Sequence, residues 1–83
     1  MTVYVDSAFI PYRRMKMCHM AADNEEELHQ MADHIGVSRK WYQGDHYDIC
    51  MAKRKLAIDN GAVVVSTREL IILSDIDKQK RKR

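Results

Sequence analysis

Four histidines, twelve carboxylates and two cysteines are the side chains of this 83-residue chain best suited to hold a metal or move a proton. Asp6 ends a short β-branched run, His19 interrupts an apolar run, and Asp23 precedes a helical pattern. His46 and Asp48 flank Tyr47 just after Gly44-Asp45. Ligand sites of open α/β sheets gather in the loops beyond strand ends, so Asp6, Asp23, His46 and Asp48 can share one rim. In extended chain, residues i and i+2 point the same way, which sets His46 beside Asp48. Neutral imidazole and carboxylate suit zinc or manganese. Asp6, His19, Asp23, His46 and Asp48 therefore form a candidate metal set, in which the ion would activate water as a metal-dependent phosphoesterase requires. The competing reading makes Asp23 and Asp48 helix caps, His46 a turn hydrogen-bond donor and His19 a hydrogen-bonded core histidine. His29 and His34 lie outside the apolar stripe of their helix and are expected in solvent.

A second constellation is basic and aromatic: Tyr12-Arg13-Arg14 and Arg39-Lys40-Trp41-Tyr42. Guanidinium groups pair with phosphate, and flat rings stack on exposed bases. This predicts a non-enzymatic domain for an anionic ligand, a nucleotide or a short stretch of nucleic acid, with no cofactor. Arg39 and Arg68 would pair with phosphate, His46 would donate a hydrogen bond, Trp41 or Tyr42 would stack, and Asp48 would be occupied as a cap. Against it, a small domain usually buries its one Trp. No nucleophile signature stands out: there is no G-x-S-x-G, P-loop or G-x-G-x-x-G, Cys18 falls in an apolar run that keeps a thiol inert, and Ser66 serves as a cap.

Charge narrows the classes. Fourteen Lys and Arg oppose twelve Asp and Glu, a net +2. Five of the fourteen fall at Lys78, Lys80, Arg81, Lys82 and Arg83, so the remaining nine leave a body of charge −3. Residues 1–77 read as one mildly acidic domain and residues 78–83 as a solvated, disordered basic tail, either a solubilising end or a non-specific nucleic-acid arm. Cys18 and Cys50 are too few for a disulfide scaffold and form no C-x-x-C pair. With no basic and apolar leader pattern at the start, reduced thiols in a cytoplasm are the expectation. The apolar runs are far shorter than the ~20 residues of a membrane span.

The elements that must position these residues follow from periodicity. Residues 2–5 read as a strand, 7–14 as a loop, and 15–22 as a buried strand. Asp23 caps a helix with Glu26 in a capping-box arrangement; Leu28, Met31, Ala32 and Ile35 make its inner stripe and Gly36 stops it. Residues 38–43 read as a short strand or extended segment. Asp48 caps a second helix over 49–60 with Ile49, Ala52 and Leu56 inward. Residues 62–65 form a strand, and Ser66 with Glu69 opens a third helix. The order β-β-α-β-α-β-α implies an α/β domain with a small mixed sheet of about four strands and three helices. Its expected core is Leu28, Met31, Ile35, Leu56, Val64, Leu70 and Leu73.

As a whole, residues 2–73 resemble a small family of unknown function found in bacteria and phages. The resemblance rests on Val3-Tyr4-Val5-Asp6, His19 with Asp23, Glu27-Leu28-His29, Ile35-Gly36-Val37, Arg39, Gly44-Asp45-His46-Tyr47-Asp48, Gly61-Ala62-Val63, and Ser66 with Arg68-Glu69-Leu70. It implies that His19, Asp23, His29, Arg39, His46, Asp48 and Arg68 belong to one shared pattern. It carries no activity over. A phage setting adds a third class by analogy, a protein–protein module acting on a host protein.

Overall fold

The computed structural model describes residues 2–74; the basic tail of residues 78–83 lies outside them. The chain forms β1 (Val3–Val5), β2 (Ile10–Tyr12), β3 (Met15–Ala22), α1 (Glu25–Ile35), a 3₁₀ turn (Arg39–Trp41), β4 (Tyr47–Cys50), α2 (Met51–Asp59), β5 (Val63–Val64) and α3 (Thr67–Leu73). The expected mixed α/β domain with three helices is present, and its sheet has five strands.

The long strand β3 organises the sheet. Along one edge it pairs antiparallel with β1, through Val5↔Met20, and with β2, through Ile10↔Met17. Along its other edge it pairs antiparallel with β4, through His19↔Asp48 and Met20↔Tyr47. The short β5 runs parallel to β1, the sense that a crossover through helices allows. Alternation then sorts the side chains. Val3, Val5, Cys18, Met20, Ala22, Tyr47 and Ile49 join one core cluster with Leu28, Ala32, Ile35 and Ala57 from α1 and α2. The intervening residues of β3 and β4, including His19 and Asp48, face the other way. There α3 covers one end of the sheet, with Leu70 buried.

Several local expectations change. Residues 7–14 are not all loop: β2 lies within them, on the outer edge where Pro11 is tolerated. Residues 38–43 are not a strand. Ser38 accepts from the Lys40 N–H and starts the 3₁₀ turn instead. The N-cap of α1 is Asn24, whose side chain accepts from the Glu27 N–H at 2.8 Å. Asp23 instead takes the Thr2 N–H and the Tyr4 hydroxyl, tying β1 to the end of β3. Asp48 caps no helix. The polar–apolar alternation of residues 46–50 wins over the capping signal, and α2 starts later, at Met51, without a side-chain cap. Its phase is therefore not set by Ile49, and Ala57 is buried while Leu56 is exposed. Val64 and Leu73 are exposed too, because β5 is a two-residue edge strand and α3 buries only Leu70. Leu28, Ile35 and Leu70 are buried and Met31 is half-buried, as the pattern predicts. The Ser66–Glu69 capping box forms as read, and Gly36 ends α1 at φ 80°, a left-handed conformation that favours glycine.

Candidate metal centre

Asp6, His19 and Asp48 lie in one row, from just past the end of β1 across β3 to β4. His19 sits opposite Asp48 on β4. On its other side the Asp6 N–H donates to the His19 carbonyl at 3.1 Å, one register step past Val5↔Met20. The Asp6 side chain completes that pairing: its Oδ1 accepts from the His19 backbone N–H at 2.9 Å and the Ala8 N–H at 3.3 Å. Its Oδ2 accepts from His19 Nδ1 at 2.6 Å and from the Thr67 hydroxyl at 2.8 Å. The Asp6 carbonyl is taken by Arg54 Nε of α2 at 3.0 Å. Asp6 is fully buried. Burial alone would push its carboxyl up, but the hydrogen bonds from the His19 backbone, the His19 ring and Thr67 outweigh it and hold the group below its ordinary value. In the neutral imidazole, an ionised Asp6 selects the tautomer with the proton on His19 Nδ1 and the lone pair on Nε2.

His46 is placed by a tight turn and by its neighbour. Gln43 N–H donates to the His46 carbonyl at 2.8 Å across Gly44-Asp45, and Gly44 sits at φ 97°, where a side chain would be strained. Tyr47 is fully buried on the helix side, its hydroxyl 2.6 Å from His29 Nδ1. That anchor turns His46 and Asp48 to the opposite face. His46 Nδ1 lies 2.5 Å from Asp45 Oδ1, and its Nε2 lies 3.3 Å from Asp48 Oδ1. The two imidazole centroids are 5.0 Å apart. One donor atom from each of His19, His46 and Asp48 lies within 4.8 Å of the other two, and all three residues are half-buried. This is a two-histidine, one-carboxylate set, with a carboxylate behind each imidazole.

The remaining residues of the expected metal set divide. Asp6 stands behind His19 as its orienting partner, and Asp23 is held at the far end of β1, away from the cluster. Of the residues expected to bind an anion, Trp41, His46 and Asp48 line one cavity of about 400 Å³ together with His19 and Tyr12. Arg39 reaches Asp33 at 3.4 Å. The Tyr42 hydroxyl shares its one hydrogen between Glu25 Oε1 and the Gly44 carbonyl, each 2.8 Å away; burial, then the Glu25 hydrogen bond, push its pKa up. Arg68 is exposed on α3. A smaller cavity of about 180 Å³ lies on the α3 side of the histidine pair, lined by Thr67, Leu70 and Ile71. Burial, then the Asp6 charge, push the Cys18 thiol up to about 12, so it is protonated and inert.

The roles of three residues escaped the sequence reading. Asp45 and Thr67 support the histidines from a turn and a helix start, positions that look purely structural in one dimension. His29 is half-buried rather than solvated; its i+4 relation to Glu25 was visible, and its partner Tyr47 was not.

Residues 3–78 match the family described as "Protein of unknown function (DUF4031)". The chain belongs to this DUF4031 family. No curated protein and no solved structure matches it. The resemblance to a family of unknown function noted in the sequence is thus present at the level of the family. Among the described residues of this DUF4031 chain, no helix is long and apolar enough to cross a membrane.

Proposed function

We propose that this DUF4031 chain binds a divalent transition-metal ion through His19, His46 and Asp48 and uses it on phosphoesters. The observation that carries the reading is the pairing of each imidazole with its own carboxylate, Asp6 for His19 and Asp45 for His46. Metal-bound histidines are oriented in this way, and their basicity is raised by it. A structural ion pair would need no such backing on both rings. Two neutral imidazoles and one carboxylate leave a divalent ion with a net positive charge and open positions. Such an ion supplies Lewis acidity toward water and toward phosphoryl oxygen. The chain's own residues orient the donors, and the cavity on the Trp41 side admits a substrate beside them. In hydrolysis the oxygen of water bonds to phosphorus, the bond to the leaving oxygen breaks, and the proton released by water ends on that oxygen. This support is stronger than that for a metal-free anion site, since Arg39 is engaged by Asp33 and stands outside the cavity lining.

Calorimetric titration of the metal-stripped protein with Mn²⁺ and Zn²⁺ tests the reading. One site per chain is expected, lost in His46→Ala and Asp48→Ala and retained in Asp23→Ala. Bound metal should switch on hydrolysis of bis(p-nitrophenyl) phosphate. Equal metal uptake by wild type and His46→Ala would overturn the site; uptake without hydrolysis would overturn the phosphoesterase.

A further inference from the structure

The basic residues of the acidic body are unevenly spread. Five of the nine, Arg13, Arg14, Lys16, Arg39 and Lys40, fall in two short segments. The fold brings these segments together at the tip of the β2–β3 hairpin and the 3₁₀ turn. A groove of about 430 Å³ there is lined by Tyr12, Arg13, Met15, Lys40 and Trp41, with no carboxylate among them. The Arg13 guanidinium lies 5.6 Å from the Tyr12 ring centre, and Lys40 Nζ lies 5.7 Å from that of Trp41. The two rings meet edge to face at 5.8 Å. Tyr12 and Met15 are each 42 % exposed, so this apolar surface faces water. Tyr12 and Trp41 also line the neighbouring cavity that holds His19, His46 and Asp48. The groove therefore runs from paired cations, past two rings, to the candidate metal centre.

Arg13 adds a second observation. It occupies the first position of a two-residue hairpin turn at φ 56°, where glycine is the favoured residue. A long cationic side chain is kept where the backbone disfavours it, and strain of this kind collects at functional positions.

We infer that this groove binds single-stranded nucleic acid, with Arg13 and Lys40 on phosphates and Tyr12 and Trp41 under bases. Alternating cation and ring fits a flexible strand whose bases are unstacked and free to lie on side chains. A duplex keeps its bases stacked away from such rings. The inference rests on the phosphoesterase reading only for what happens at the end of the groove; strand binding itself needs no metal. It names the substrate class that would be led to His19, His46 and Asp48.

The test is fluorescence anisotropy with labelled dT12, labelled U12 and a 12-base-pair DNA duplex, in chelator and in Mn²⁺. Both single strands are expected to bind in chelator, and more tightly than the duplex. Trp41→Ala should weaken binding roughly 5-fold or more, as loss of a stacking platform does. Trp41 also packs against the core, so two exposed variants carry the test independently. Lys40→Gln and Arg13→Gly should each weaken binding and lower the log–log salt slope by about 0.7, the loss of one phosphate contact on a single strand. Arg13→Gly should melt no lower than wild type, since glycine accepts the turn conformation. Tighter binding of U12 than dT12 would assign RNA, and equal binding would assign a bare strand of either sugar. Wild-type binding by Lys40→Gln and Arg13→Gly, or a preference for duplex, would overturn the inference. Metal uptake without strand binding overturns this inference alone, and strand binding without metal uptake overturns the metal reading alone.

Discussion

Asp6 carries more of the candidate site than any residue that would touch an ion. Its carboxylate takes four donors, two of them from His19, and so fixes the ring, its tautomer and the adjoining backbone together. Asp6→Asn keeps the shape but turns an acceptor into a donor on one side. Metal affinity in that variant should fall about 10- to 100-fold, the usual cost of losing a carboxylate behind a ligating histidine, while Asp23→Asn leaves it unchanged; calorimetric titration of both checks this. The pH dependence follows from the same bonds. A carboxyl held below its ordinary value in the fold contributes stability that is present above its unfolded pKa, about 3.9, and is lost as pH falls through the folded value. Urea melts from pH 7 down to pH 3 should show wild type losing this contribution below about pH 4, with Asp6→Asn lacking that part of the decline.

Among the elements, the helix starts decide how firmly the site is held. Helix α3 has seven residues, too few to be stable alone. Its Ser66–Glu69 capping box satisfies its first turn and sets Thr67 against Asp6. Ser66→Ala should therefore cost about 0.5–2 kcal/mol of unfolding free energy, read by denaturant titration. Metal affinity should fall less than in Asp6→Asn, because Thr67 is one donor of four. Asn24→Ala should show a similar stability loss through α1 and leave metal affinity intact, since that helix packs on the opposite face of the sheet.

For the whole molecule, the candidate centre joins β1, β3, β4 and the turn before β4, so an ion held there ties together segments far apart in sequence. Metal that binds only the folded chain stabilises it by mass action, about 2.7 kcal/mol at a hundredfold excess over Kd. For a domain of this size that is a rise in melting temperature of roughly 10–20 °C. Mn²⁺ or Zn²⁺ should produce it in wild type, chelator should reverse it, and Asp48→Ala should show none. An equal rise in Asp48→Ala would place the ion elsewhere.

Local patterning alone determined the class of fold, strand β3, the stripe and end of α1, and the capping box of α3. Each of these depends on residues within a few positions of one another, where period, cap and turn chemistry act directly. It also implied that His46 and Asp48 share a face if the chain is extended there, because strand alternation is a local property. Where two local signals competed, as with Asp48 as cap or strand residue and Asp23 or Asn24 as cap, only the packed structure chose. Tyr47 needed the core and the contact of its own hydroxyl with His29, and that burial held residues 47–50 in a strand. Leu56, Val64 and Leu73 look like core by type, yet which side of α2, β5 and α3 is covered depends on what packs against it. The site itself belongs to the tertiary level. Antiparallel register set Asp6, His19 and Asp48 in one row from positions up to 42 residues apart. No spacing within the chain encodes that row, because pairing across strands is decided by the burial of the opposite face.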